Sequence, residues 1–187
     1  MRPITHELPP RIEPLGPEHS MAFHRLAQEP GLTEVLFDGP APTPDDVWMA
    51  IALAEELRTN GRGDVFVVLL GEELIGACRL DRDGPWLAAA EVGYCIGEPF
   101  RGRGLATAAV GLVVEHAFAE LGVELVTARC LRAHLPSRRV LEKLGFVTTH
   151  GAEETAAPFI GFELSKRDAS RPRLTSTASR TSSSDPK

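Results

Sequence analysis

The run Glu91 to Ile96 leads through Gly97-Glu98-Pro99-Phe100 into Arg101-Gly102-Arg103-Gly104-Leu105-Ala106-Thr107, and a long apolar helix pattern follows. No other segment restricts the fold as tightly. Glycine accepts backbone conformations that other residues resist and lets a ligand come close to the main chain. A helix N-terminus presents amides without intrahelical partners, together with the positive end of the helix dipole. A strand passing through such a loop into a helix is an anion cradle by construction. It calls for strands and helices layered in one α/β domain.

The rest of the chain supplies those elements. Pro17 to Gln28 has a helical pattern with Met21, His24, Leu26 and Ala27, closed by Pro30-Gly31. Leu32 to Pro44 reads as a Pro/Gly-rich loop. Thr43 before Pro44, Asp45 and Asp46 is a helix start, since Thr accepts from free amides and the acids suit the positive helix end; this helix runs to about Arg58, with Gly61 beyond. Val65 to Leu70, Gly71-Glu72-Glu73 and Leu74 to Leu80 read as strand, turn and strand of a hairpin. Leu105 to Leu121 is a long helix ended by Gly122, with Val110, Val114, Ala117, Phe118 and Leu121 as its main apolar face. Leu125 to Cys130 is the next strand and Pro136 to Leu144 a short helix stopped by Gly145. Phe146 to His150 and Phe159 to Leu164 are closing strands. The order strand, two helices, three strands, helix, strand, helix, two strands predicts a mixed α/β sheet.

Composition sets the frame. A chain of 187 residues is about one domain long, and it holds 20 basic and 26 acidic residues for a net charge of −6. That balance argues against binding a phosphate backbone, so no nucleic-acid partner is expected. No apolar run reaches the ~18 residues of a membrane span. The N-terminus has no secretory leader pattern. Cys78, Cys95 and Cys130 fit neither a disulfide framework nor a zinc-ligand pattern, so each is expected to be a small buried hydrophobe, no metal is expected, and a reducing cytoplasm is the expected location. Residues 168–187 contain nine Ser or Thr, four basic residues and only Leu174 as a large apolar group, so they read as a disordered tail. The expected folded domain, residues 1–167, keeps 16 basic and 24 acidic residues, a charge of −8.

Three readings of the cradle compete. Gly102-x-Gly104-x-x-Thr107 half matches the dinucleotide-binding Gly-rich turn, but that motif belongs after the first strand of a βαβ unit and this one comes late. A plain structural turn is the second. The third rests on Arg101-x-x-Gly104-x-Ala106, on Glu91-Val-Gly-Tyr-Cys-Ile-Gly-Glu-Pro-Phe before it, and on Pro136-Ser-Arg-Arg-Val-Leu-Glu-Lys-Leu-Gly-Phe146 after it. Together these resemble the GNAT superfamily of acyl-CoA-dependent N-acetyltransferases, in the branch of the RimJ/RimL type. The resemblance covers roughly residues 10–165 and is close over 91–146.

The resemblance implies a GNAT fold, a mixed and mostly antiparallel central sheet flanked by helices, in which Glu91–Ile96 splays from Leu125–Cys130. The pantetheine arm of acetyl-CoA would lie in that gap as an extra strand, pairing with backbone near Ile96. The pyrophosphate would lie on the amides of Arg101, Gly102, Arg103, Gly104, Leu105, Ala106 and Thr107. That is the anion site already argued from the residues.

Acetyl transfer needs a neutral amine, a stabilised oxyanion and a proton for the departing thiolate. Strand alternation puts Glu91, Gly93 and Cys95 on one face and Val92, Tyr94 and Ile96 on the other. Glu91 is the candidate base, against the reading of a solvated or paired edge carboxylate; Glu153 and Glu154 are its rivals. Many relatives carry a Tyr acid four residues before the Gly of the G-F pair, where this chain has Leu141. Ser137 is the substitute candidate for the thiolate, as the resemblance to the RimL-like branch implies, against a helix-start Ser that only satisfies amides. The position three before Ser137, frequently Asn in the superfamily, is His134, a candidate contact to the pantetheine arm.

Tyr94, the single tyrosine, reads as core. Trp48 reads as helix packing and Trp86 as a loop cover or pocket wall, while His24 and His116 default to surface or interface roles. The expected activity is direct transfer from acetyl-CoA to a primary amine, either a small molecule or a protein N-terminus, with a homodimer possible. The rivals are a non-catalytic acyl-CoA-binding module and a nucleotide-binding protein.

Overall fold

Val65 to Leu70 is apolar without alternation because helices cover both of its faces. In the computed structural model, which describes residues 8–37, 40–82, 88–149 and 158–170, this run lies in β2 (Gly63–Leu70). Phe66 and Val68 join one core cluster, and Val67 and Leu69 the other. A two-residue turn with Gly71 at φ +61° returns the chain into β3 (Glu73–Asp81), giving the expected hairpin. The sheet has seven strands. Ahead of β2 comes β1 (Arg11–Pro14), and after β3 come β4 (Ala89–Ile96), β5 (Leu125–Leu131), β6 (Val147–Thr148) and β7 (Phe159–Ser165), in spatial order β1-β2-β3-β4-β5-β7-β6. All neighbours are antiparallel except β4 and β5, so the expected mixed, mostly antiparallel sheet is borne out.

On one face lie α1 (Ser20–Ala27), α2 (Thr33–Phe37) and α3 (Pro44–Thr59), packed through Phe23, Leu26, Val47 and Ile51 against Val67, Ala77 and Cys95. Thr43 caps α3 as expected: its hydroxyl accepts from Asp46 N–H at 3.2 Å, and the Asp46 carboxylate accepts from Thr43 N–H at 2.8 Å. The Thr43 hydroxyl, which donates to the Asp46 carboxylate at 2.7 Å, and then the Thr43 N–H hold the Asp46 carboxyl below the usual range. The other face carries α4 (Leu105–Ala119) and α5 (Leu135–Lys143). The buried side of α4 is wider than the sequence pattern, adding Leu105, Ala109 and Val113, because the helix lies flat across the sheet. A final helix, α6 (Lys166–Ala169), crosses the expected boundary between residues 167 and 168. The remainder of the expected tail, residues 171–187, lies outside the described residues, as do Trp86, Glu153 and Glu154.

Several expectations change. The segment Leu32 to Pro44 is not all loop, since it holds α2, five residues long. Met21 and Trp48 are 79% and 50% exposed, so neither packs a helix; Phe23, Leu26 and Ala27 carry the buried side of α1 instead. His24 and His116 are half-buried: His24 Nε2 lies 3.0 Å from the Pro42 carbonyl, and the His116 ring packs edge-on to Phe66 at 5.0 Å. The three cysteines are buried and free, as expected, and burial pushes the Cys95 thiol up to about 11. Among the described residues no helix is long and apolar enough to cross a membrane, and no three metal-binding side chains gather.

Candidate active site

The site begins where two neighbouring strands part. β4 and β5 pair only at Ala89↔Leu125, Ala90↔Val126 and Glu91↔Thr127. On their outer sides both continue to be paired, β4 with β3 as far as Ile96↔Gly76 and β5 with β7 as far as Leu131↔Phe159. Gly97 N–H donates to the Ile75 carbonyl at 2.8 Å. By antiparallel alternation, the backbone groups of Val92, Tyr94 and Ile96 then face β5 rather than β3. Leu125 N–H donates to the Ala88 carbonyl at 3.2 Å, so Arg129 and Leu131 likewise turn their backbone groups toward β4. The two rows face each other across the splay and do not pair. Unpaired backbone at a sheet interior is costly, and an extended chain bearing its own donors and acceptors can satisfy it.

The Gly-rich loop closes one end of that gap. Gly102 and Gly104 have φ of +77° and +82°, the left-handed region that favours glycine, and a Cβ on either would meet nothing within 4 Å. Conformation rather than crowding calls for glycine here, and the space beside the loop is open. Gly104 is the N-cap of α4, with no side chain to occupy the first-turn amides and no carboxylate in that turn to offset the helix dipole. Leu105 is buried and anchors the helix start, while Ala106 and Thr107 are half-buried. Arg101 Nε donates to the Ile96 carbonyl at 2.9 Å, and the Arg103 guanidinium sits 5.6 Å above the Phe100 ring. Arg101 therefore braces the loop against the end of β4, and Arg103 packs on Phe100 within the loop. The Ile96 carbonyl already accepts from Arg101, and the Ile96 N–H is the group turned toward the gap.

The two faces of the splay carry different chemistry. Val92 and Ile96 pack with α4, so Glu91, one residue away, lies on the opposite face with Arg129 of β5. Arg129 Nε donates to the Glu91 carboxylate at 3.0 Å, with both side chains partly solvated. Glu91 thus stands at the last paired rung, on the expected face, and is ion-paired. On the α4 face, Ser137 is buried in the first turn of α5. Its hydroxyl lies 2.8 Å from the Tyr94 hydroxyl, and Tyr94 also reaches the Ser137 carbonyl at 3.0 Å. Burial pushes the Cys130 thiol up. Burial pushes the Tyr94 phenol up to about 12. The Ser137 hydroxyl therefore does not serve as a helix cap. His134, the N-cap of α5, is exposed and makes no side-chain capping bond. Leu141 is fully buried.

Arg129 and the Tyr94–Ser137 contact escape sequence reasoning because each pairs residues about forty positions apart. Alternation along β5 could have put Arg129 on the Glu91 face once the parallel pairing was assumed. A cavity of about 550 Å³ lies elsewhere, lined by Val114, Phe118, Leu144, Leu164, Lys166 and Ser170 among others, and none of the expected site residues reaches it.

Residues 11–147 match the family model of the acetyltransferase (GNAT) domain, and the chain belongs to that family. The uncharacterized N-acetyltransferase p20 of Bacillus licheniformis is 28% identical over 98 residues, 51% of this chain and 55% of that protein, so the match spans about half of its length. A RimL ribosomal alpha-N-protein acetyltransferase solved with coenzyme A superposes with a TM-score of 0.73 at 15% identity, over 84% of this chain and 94% of that one. The spermidine N-acetyltransferase of Vibrio cholerae, solved with CoA and spermine, gives 0.70 at 17% identity, over 86% and 97%. At such identities the likeness to the solved structures establishes the fold.

Proposed function

We propose that this protein transfers an acetyl group from acetyl-CoA to a primary amine by direct attack. The observation that carries the reading is the end of β4–β5 pairing at Glu91↔Thr127, directly upstream of a glycine-capped helix N-terminus. The splay offers backbone partners to a pantetheine arm, Ile96 N–H among them. The amides from Arg101 to Thr107, with Gly102 and Gly104 leaving the approach clear, suit a pyrophosphate. When bound, acetyl-CoA supplies an activated thioester carbonyl, and the protein supplies orientation and proton handling. The two faces of the gap divide the work. Glu91, oriented by Arg129, takes the ammonium proton directly or through water on one face. Ser137 donates a hydrogen bond to the departing sulfur on the other.

The acceptor is an amine of a small molecule or of a protein N-terminus. RimL and the spermidine enzyme, which share this fold, are named for one acceptor of each kind. A second reading, acyl-CoA binding without turnover, is favoured by the buried Leu141 where many relatives place their acid. Free-thiol release from acetyl-CoA with a panel of amines and N-terminal peptides separates the two. Saturable release supports transfer, whereas acetyl-CoA binding with no release on any acceptor supports the second reading.

A further inference from the structure

Tyr94 lies outside the machinery just described, yet its hydroxyl is tied to Ser137 twice, at 2.8 Å to the hydroxyl and 3.0 Å to the carbonyl. The proton count decides what this contact can do. A carbonyl only accepts, and each hydroxyl carries a single proton. In one arrangement Tyr94 donates to the Ser137 carbonyl, and the Ser137 proton points back at Tyr94. In the other Tyr94 donates to the Ser137 hydroxyl oxygen, and the Ser137 proton is released to a new acceptor. Tyr94 springs from the splayed stretch of β4, beyond the last rung that β4 shares with β5. The Ser137 hydroxyl is thus tied to one of the two strands that form the gap.

We propose that Tyr94 is a positioning residue that switches its hydrogen bond from the Ser137 carbonyl to the Ser137 hydroxyl and so turns the Ser137 proton toward the departing thiolate. The inference rests on the acetyl-transfer reading and adds to it. In the step, the amine–carbon bond forms and the carbon–sulfur bond breaks, leaving its electron pair on sulfur. The proton given up by the amine through Glu91 and solvent equals the proton finally taken by the thiolate. Tyr94 loses none overall. Burial keeps the phenol protonated, so it remains a donor throughout the neutral range. One hydrogen bond made only as charge develops is worth about 1–1.5 kcal/mol, or roughly tenfold in rate.

The test is Tyr94→Phe, which keeps the ring and removes the hydroxyl, assayed with two donors: acetyl-CoA, and an acetyl aryl thioester whose acidic thiol leaves without assistance. Expected is a roughly tenfold lower kcat with acetyl-CoA at unchanged KM, and a defect that largely disappears with the aryl donor. Ser137→Ala should show the same donor dependence, and the double variant should be no worse than Ser137→Ala alone. A defect equal for both donors, or full activity, overturns the inference. Should Tyr94→Phe fold poorly, 3,5-difluorotyrosine at this single tyrosine changes the acidity of the phenol with little change in packing. The alkaline limb of the kcat profile should then move down in pH, and an unmoved limb overturns the inference. Wild-type protein without turnover on any acceptor would remove the acetyl-transfer reading itself, whereas active wild type with an indifferent Tyr94→Phe removes only the role given to Tyr94.

Discussion

Gly104→Ala separates two reasons for a glycine at the head of α4. Gly104 has φ +82°, so alanine there carries the left-handed penalty of roughly 1–2 kcal/mol. For a chain of this size that lowers Tm by about 2–4 °C per kcal/mol. Its Cβ would meet nothing within 4 Å, so no packing clash adds to the cost. If a pyrophosphate is seated against the amides of this turn, the methyl group stands in its approach, and the affinity for acetyl-CoA falls beyond what strain explains. Calorimetric titration should show Kd for acetyl-CoA weakened at least tenfold, about 1.4 kcal/mol. Kd for S-acetyl-pantetheine, which lacks the pyrophosphate, should stay close to wild type. Unchanged affinity for both donors would place the anion elsewhere. An equal loss for both would show that strain alone, spread through the loop, accounts for the effect.

Three further outcomes follow from the geometry. In Gly76→Ala a Cβ would lie 2.4 Å from the Cys95 carbonyl oxygen and 2.6 Å from Ile96 Cδ1, so the end of β4 must shift; thermal unfolding should show a loss of about 1–3 kcal/mol. Tyrosinate absorbance, which reports Tyr94 alone, should titrate near 12 in the folded protein against an ordinary 10. Because the folded phenol keeps its proton above the value of the unfolded one, its contribution to stability is complete below pH 10 and is lost as pH rises toward 12, a slope that Tyr94→Phe should lack. Glu91→Gln should lower kcat at neutral pH while leaving acetyl-CoA affinity near wild type, and a wild-type pH profile would pass the role of base to Glu153 or Glu154.

The elements legible in the sequence are those with a local physical cause. Thr43-Pro44 with Asp46 announces the start of α3 through a capping pattern four residues long. The unbroken apolar run of β2 announces a strand covered on both faces. Alternation alone put Glu91 and Tyr94 on opposite faces of β4, as the structure has them. α2 stayed hidden because five residues are too short to show a helical period. The exposure of Met21 and Trp48 depends on which side of a helix meets the sheet, and a single apolar residue does not say. The pairings Glu91–Arg129 and Tyr94–Ser137 stayed hidden for a different reason. Glu91–Arg129 depends on the register of a parallel pair, and Tyr94–Ser137 on how α5 settles beside the splay.

Under the proposed function the gap between β4 and β5 receives acetyl-CoA as an added strand. Amide hydrogen exchange with and without saturating acetyl-CoA tests it directly. The N–H groups of Tyr94 and Ile96, turned toward the gap, should gain strong protection on binding, along with the amides at the head of α4. Saturable binding that leaves Tyr94 and Ile96 exchanging at their original rates would contradict the claim.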